Sequence, residues 1–284
     1  MTDSDANTTP VACVIGWPVK HSRSPVIHRF WLKEYELPGD YVIHPVAPEE
    51  IEGFLAHFAE GPFVGCNVTV PHKEAAFAAV DVVEPAGRAI GAVNTIWRDG
   101  RRLVATSTDG IGFLSNLDEG APGWDRAPGA AVVVGAGGAA RAVLWALAER
   151  GFAPIHLVNR TVERAEALAA RFGPAVRPAG WDALPGLFGE ARILVNATSL
   201  GMAGQPALDL DLAALPDDCV VTDIVYVPLE TGLLAAARAR GLRTVDGLGM
   251  LLHQAVPGFA HWFGRRPAVT PALRAAVLRD LGIT

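Results

Sequence analysis

Residues 131–141, Ala-Val-Val-Val-Gly-Ala-Gly-Gly-Ala-Ala-Arg, run from an unbroken apolar segment through a glycine turn into the start of a helical pattern. No other stretch constrains the fold as much, because a buried strand, a glycine turn and a helix start follow one another in the order that a dinucleotide site requires. Gly135 permits the tight turn, Gly137 lets the backbone approach a pyrophosphate, and Ala140 allows close packing of helix on strand. The helix N-terminus then presents free amide groups to the anion. Since the same pattern also serves as an ordinary strand-to-helix connection, its neighbourhood decides between the two.

That neighbourhood contains a second strand, Ile155-His-Leu-Val, followed by Asn159-Arg160-Thr161. A site for NAD favours Asp or Glu at this strand end, where a carboxylate binds the ribose hydroxyls and repels a phosphate. Here Asn159 and Arg160 stand there instead, with Arg164 about one helical turn onward. Two guanidinium groups suit a 2'-phosphate, which points to NADP. The alternative is a solvated arginine pair at a helix start, a place where the helix dipole disfavours cations that have no anion to bind.

Short β-branched runs alternate with helical patterns through the chain, the signature of an α/β protein with mainly parallel strands. In the first half, strands are predicted at 12–17, 41–46, 64–70, 92–97 and 103–106, the last two joined by a turn at Asp99-Gly100. Ser24 followed by Pro25 reads as the N-cap and first position of a helix through Glu36, with Val26, Ile27, Phe30 and Trp31 as its buried stripe. Further helices follow Pro48 and Pro71. In the second half, strands are predicted at 155–158, 193–196, 220–224 and 243–245, and helices at 249–263 and 271–281. With 284 residues the chain suits two domains. A Pro/Gly-rich stretch at 120–129 marks a handover, with the first domain ending before it, around 110–117.

Half of the residues are hydrophobic and only 19% are charged, which describes a folded, enzyme-like protein. A net charge of -6 argues against tracking a phosphate backbone, so no nucleic-acid partner is expected. Cys13, Cys66 and Cys219 are few and far apart, which fits a reducing compartment, and a cytoplasmic location is expected. Met1–Pro10 is polar, carries Asp3 and Asp5, and reads as a loose leader rather than a secretory signal. The longest uncharged stretch, 247–264, is interrupted by His253, Gln254, Pro257 and His261, so no membrane span is predicted. The eight histidines show no metal-ligand spacing, no metal is expected, and His253 and His261 read as helix-packing residues. Cys66 reads as a small core residue.

Three polar segments sit at strand ends in the first half: His21-Ser22-Arg23-Ser24-Pro25, Asn67-Val-Thr69-Val-Pro71-His72-Lys73 and Thr106-Ser107-Thr108-Asp109-Gly110. Each has an ordinary structural explanation: Ser24 capping a helix, Lys73 solvated on the surface, Asp109 capping the next helix. Together with Gly91-Ala-Val-Asn94-Thr95, the glycine turn, Asn159-Arg160-Thr161, Asn196-Ala-Thr198-Ser199 and Asp246-Gly247-Leu-Gly-Met250 through Gln254, they resemble the shikimate dehydrogenase family in order and spacing over nearly the whole chain.

The resemblance implies an α/β protein of two domains. A substrate domain spans 1–110, a Rossmann-like NADP domain spans 111–248, and C-terminal helices at 249–284 pack back on the substrate domain, with a cleft between the domains. It implies that Ser22, Ser24 and Tyr226 hold a substrate carboxylate, that Thr69, Asn94 and Gln254 contact ring hydroxyls, and that Lys73 and Asp109 flank the reacting oxygen as an acid–base unit. It also implies cofactor contacts at Gly135, Ala136, Gly137, Gly138, Ala139, Asn159, Arg160, Thr161, Arg164, Thr198 and Ile224. The Asn196–Ser199 side chains either line the cofactor cleft or form a simple turn, and Gly247 either approaches the nicotinamide or only turns the chain. The expected reaction is NADPH-dependent reduction of 3-dehydroshikimate, by a monomer or homodimer acting on a small molecule. A quinate/shikimate dehydrogenase using NAD, or a dinucleotide-binding regulatory protein without turnover, are the alternatives. One departure stands out: the family usually has Asn before Thr-Asp-Gly, and this chain has Ser107, which bears on the orientation of Asp109.

Overall fold

The computed structural model describes residues 9–283, so all but the last two positions of the expected leader lie outside the described residues. The chain divides into two units, one made of residues up to 108 together with those from 254 onward, the other of residues 109–253. The first unit contains β1 (Val11–Ile15), α1 (Ser24–Glu34), β2 (Asp40–Ile43), α2 (Ile51–Ala56), β3 (Phe63–Val68), α3 (Lys73–Ala79), β4 (Val82–Val83), α4 (Pro85–Ile90), β5 (Thr95–Asp99) and β6 (Arg102–Thr106). The second contains α5 (Asp109–Gly120), β7 (Ala130–Val134), α6 (Gly138–Glu149), β8 (Ile155–Val158), α7 (Val162–Phe172), β9 (Val176–Ala179), α8 (Leu184–Leu187), β10 (Ala191–Asn196), β11 (Val220–Asp223), α9 (Gly232–Ala239) and β12 (Arg243–Val245). Next comes α10 (Leu248–Phe263), whose residues from Gln254 belong to the first unit, and then α11 (Pro271–Asp280).

The first sheet has the order β2-β1-β3-β5-β6-β4. The mainly parallel expectation needs one amendment here, because β5 runs antiparallel to both of its neighbours. The cause is the tight turn at Asp99-Gly100, where Gly100 adopts a φ of 62°; a two-residue connection can only join antiparallel strands. Alternation along β1 sends Cys13 and Ile15 into one core with Val68 and Ile96, and Ala12 and Val14 into another with Tyr41 and Trp262. Both cysteines of this sheet are buried, and burial pushes the Cys66 thiol well above its ordinary value, which suits a packing residue rather than a nucleophile.

The second sheet has the order β12-β11-β10-β7-β8-β9 and is parallel throughout. Every residue of β7 is buried: Ala131 and Val133 face the α5 and α6 side, and Val132 and Val134 face the core that contains Leu233 and Leu234 of α9. The Pro/Gly-rich stretch at 120–129 joins α5 to β7 inside this unit. Among the described residues, no helix is long and apolar enough to cross a membrane.

Helix α1 differs from expectation in its buried face, which carries Ser24, Ile27, His28, Trp31 and Leu32, while Val26 and Phe30 are only half-buried. The face is rotated because the i, i+3, i+4 stripe is centred on His28, whose ring stacks on Tyr41 at 4.1 Å and meets Phe259 and Trp262. His28 is fully buried and neither ring nitrogen has a hydrogen-bond partner. Desolvation by burial, opposed by the Asn67 side chain, lowers its pKa from 6.5 to about 3. A depressed histidine leaves stability intact above its unfolded pKa and draws it down as pH falls towards the folded value. Wild type should therefore lose about 2 kcal/mol of stability between pH 7 and pH 5 through this ring alone. His28→Phe should flatten that acid limb in chemical denaturation; an unchanged limb would clear His28 of the effect.

Candidate active site

In the first unit the predicted residues gather beyond the carboxyl ends of β1 and β3. The chain leaves β1 at Gly16, and the Trp17 N–H donates to the Val70 carbonyl at 3.0 Å, while the Thr69 N–H donates to the Ile15 carbonyl at 2.9 Å. These two bonds tie the segment carrying Ser22 and Ser24 to the segment carrying Thr69 and Lys73. Ser22 Oγ accepts from the Ser24 N–H at 3.3 Å, and Ser24 is buried. Ser24 is not the helix cap that the sequence suggests: Arg23 occupies that position and makes no capping bond with its own side chain, with Pro25 inside the first turn. The Ser24 hydroxyl is thus not spent on capping.

Lys73 opens α3 and is half-buried. Its approach is fixed by the buried His72, whose Nε2 bonds to the Val46 carbonyl at 2.8 Å, and its own carbonyl accepts from the Val93 N–H at 3.1 Å. Asn94 follows directly. Its Oδ1 accepts from the Thr108 N–H at 2.8 Å and from the hydroxyls of Thr95 and Thr108 at 3.1 Å each, so the carboxamide cannot flip without orphaning several donors. Its Nδ2 donates to Gln254 Oε1 on α10 at 3.3 Å. Beneath this pair lies a network that the sequence reading missed: Tyr41 Oη donates to Asn67 Oδ1 at 2.6 Å, and Asn67 Nδ2 donates to the Asn94 carbonyl and the Thr95 hydroxyl.

In the second unit every loop of interest leaves the carboxyl end of a parallel strand, where ligands of open α/β sheets bind. Gly135 has a φ of +105°, and a Cβ there would stand 2.6 Å from Thr198 Cγ2, so only glycine fits. At Gly137 and Gly138, by contrast, an added Cβ would meet nothing within 4 Å, which is the open backbone that a pyrophosphate needs. Ala136 and Ala139 flank these glycines, and Ala140 is buried against the sheet. The Asn159 side chain braces the turn, accepting from the Ala136 N–H at 3.2 Å and donating to the Thr161 carbonyl at 2.8 Å. Arg160, Thr161 and Arg164 are exposed, and among the described residues neither arginine has an ion-pair partner. An unpaired Arg couple around a helix start, with no carboxylate at the end of β8, fits a 2'-phosphate.

On the other side of β7, Asn196 is fully buried and Thr198 is half-exposed. The Thr198 hydroxyl donates to Asn196 Oδ1 at 2.7 Å, which makes Asn196–Leu200 a braced turn. Gly247 presses on the Ile224–Val225 peptide so closely that any side chain would overlap its oxygen. Tyr226 lies three residues past the end of β11, half-buried, and Asp109 opens α5. Among the described residues, no group of His, Cys, Asp and Glu could hold a metal ion. His261 stacks on Trp97 at 3.8 Å, a packing role, whereas His253 makes a polar contact to Glu119 at 2.8 Å.

Three family models match the chain: a shikimate dehydrogenase substrate binding domain at residues 14–96, a shikimate/quinate 5-dehydrogenase domain at 125–203, and a shikimate 5'-dehydrogenase C-terminal domain at 247–278. A shikimate dehydrogenase (NADP(+)) of Azorhizobium caulinodans is 59% identical over 268 residues, covering 94% of this chain and 95% of its own. Among solved structures, the shikimate 5-dehydrogenase of Thermus thermophilus, in complex with NADP(H) and shikimate, matches with a TM-score of 0.83 at 39% identity, over 95% of this chain and 99% of that one. The quinate dehydrogenase of Corynebacterium glutamicum, in complex with NAD, matches with a TM-score of 0.87 at 31% identity, over 95% and 99% respectively.

Proposed function

The chain belongs to the shikimate dehydrogenase family, and on that premise we propose that it catalyses the reversible, NADPH-dependent reduction of 3-dehydroshikimate to shikimate. It does so in the cytoplasm, as a monomer or homodimer, in the shikimate pathway towards chorismate and the aromatic amino acids. The observation that supports this most is the way the first sheet gathers Ser22, Ser24, Thr69, Lys73, Asn94 and Gln254, residues far apart in sequence, around its strand ends and α10.

The reaction adds a hydride to the ketone carbon and a proton to its oxygen. Bound NADPH supplies the hydride. The Lys73 ammonium stabilises the charge that develops on the oxygen and gives up the proton; in the reverse direction its amine takes the hydroxyl proton. Asp109 acts with Lys73 as one acid–base unit. Ser22, Ser24 and Tyr226 bind the carboxylate, and the locked Asn94 carboxamide with Gln254 and Thr69 binds the ring hydroxyls. A ligand without those hydroxyls forgoes the hydrogen bonds that single out the substrate and binds poorly.

Initial rates of the purified chain with shikimate or quinate, each with NADP or NAD, test the assignment. Shikimate with NADP should be the fastest combination. Turnover confined to quinate with NAD, or tight NADP binding without turnover, would replace it. Within the same assay, the Ser22→Ala/Ser24→Ala double variant should raise the Michaelis constant for shikimate about 100-fold, in keeping with two lost hydrogen bonds to a charged group, and leave that for NADP unchanged. A loss of thermal stability at an unchanged Michaelis constant would make the two hydroxyls structural.

A further inference from the structure

Asp223, the last residue of β11, is fully buried, and among the described residues no Lys, Arg or His forms an ion pair with it. Desolvation raises its carboxyl above the ordinary carboxylate range, although hydrogen bonds from Val225, Thr231 and Asn196 oppose the shift. An Asp raised in the folded state favours folding below its unfolded pKa and loses that contribution as pH rises through the folded value, so at neutral pH the charge weakens the fold. Packing alone gives no reason to keep such a group.

Its partners do. Asp223 Oδ1 accepts from Asn196 Nδ2 and from the Val225 N–H, each at 2.9 Å, and Oδ2 accepts from the Thr231 hydroxyl at 2.7 Å. All three are donors, a set that an ionised carboxylate satisfies with no proton of its own. Asn196 carries the constraint onward: its Oδ1 accepts from the Thr198 N–H at 3.0 Å and from the Thr198 hydroxyl, and its Nδ2 also donates to the Leu200 carbonyl at 3.0 Å. Thr231 caps α9 by accepting from the Leu234 N–H. One carboxylate therefore fixes the turn after β10, the segment 224–231 after β11 and the start of α9, and Gly247 of the next loop rests on the segment so fixed.

Sheet order gives this hub a direction. Strands β10, β11 and β12 lie on one side of β7, and β8 and β9 lie on the other. A dinucleotide whose pyrophosphate sits on the β7 turn spreads its adenosine over β8, beside Arg160 and Arg164, and its nicotinamide over β10 to β12. We propose that Asp223 is a positioning residue for the nicotinamide half of the bound dinucleotide, holding Thr198, Ile224 and the Gly247 contact in place, and that it has no part in binding the adenosine 2'-phosphate half. The inference rests on the NADP reading above.

The test compares two ligands on wild type and variants: NADP as substrate with shikimate, and adenosine 2',5'-bisphosphate as an inhibitor competitive with NADP. Asp223→Ala should lower kcat/KM for NADP about tenfold or more, because a small displacement of positioning groups is enough for that. The inhibition constant of the bisphosphate should stay within about twofold. Asp223→Asn should recover most of the lost kcat/KM, since its Oδ1 still takes the Asn196 and Val225 donors and its Nδ2 can donate to Thr231 Oγ. If Asp223→Ala does not accumulate as folded protein, Thr231→Val is read instead, with a smaller fall of about threefold on NADP alone. Equal losses for both ligands, or no loss for either, would overturn the positioning role while leaving the NADP reading intact. Wild type that the bisphosphate does not inhibit would overturn the NADP reading and the inference with it.

Discussion

Lys73→Ala should lower turnover about 100-fold or more while the dissociation constant for NADP stays close to wild type. The size follows from the role: an oxyanion left by hydride addition has to be neutralised, and a lost general acid costs orders of magnitude where a lost binding contact costs a factor of about ten. The separation of effects follows from the fold. Lys73 belongs to the unit built on the first sheet, whereas the glycine turn, Arg160 and Arg164 belong to the other. Local unfolding is a poor alternative cause, because the entry to α3 is held by the buried His72 and by the Val93–Lys73 backbone bond, neither of which needs the lysine side chain. Single-turnover rates and equilibrium NADP titrations on the same preparations check both halves. Near-normal turnover in the variant would remove Lys73 from the mechanism.

Arg160→Ala/Arg164→Ala should lower kcat/KM for NADP about 100-fold and barely change that for NAD. Each charge-assisted contact to a 2'-phosphate contributes about 1.5–3 kcal/mol, and two such contacts account for that factor. The geometry favours a large effect, because both guanidinium groups are exposed and no carboxylate among the described residues is paired with them, so their removal orphans no protein group. Raised salt should erode the NADP preference of wild type too, since exposed charges are screened. Equal losses for NAD and NADP would assign the arginines to the adenine pocket or to the fold.

The parts of this molecule that were legible in its sequence are those whose physics is local. The β7 glycine turn, β8 and β12 could be read directly, because an apolar run bounded by turn residues carries its own signal. Strands β4 and β9 could not. β4 is two residues long, and β9 is Val-Arg-Pro-Ala, with an exposed Arg177 and Pro178; both lie at sheet edges, where hydrogen bonding on one side only tolerates such residues. Family motifs pointed to Asn94 and Thr198, but not to the buried networks behind them. Tyr41, Asn67 and Asp223 act through partners 26 or 27 residues away, and nothing in Val-Val-Thr-Asp distinguishes a buried carboxylate from a strand that ends in solvent. His28 hides for the same reason: a histidine in a helix reads as polar until the rings of Tyr41, Phe259 and Trp262 are seen around it.

The first unit takes its residues from both ends of the described chain, with the whole of the second unit spelled out between them. A ribosome therefore releases the first sheet early and the helix that finishes it late. Trp262, whose indole donates to the Ile96 carbonyl at 2.9 Å, follows that carbonyl by 166 positions. Until it emerges, the cluster of Ala12, Val14, Val19 and Tyr41 lacks the indole that completes it in the finished protein. The second unit, written in one unbroken run, has all of its own residues before then. Birth order and closing order are thus inverted: the half that starts first is sealed last, and a message cut short of codon 254 yields a second sheet with its full complement of strands and a first sheet that lacks Trp262 and Phe263.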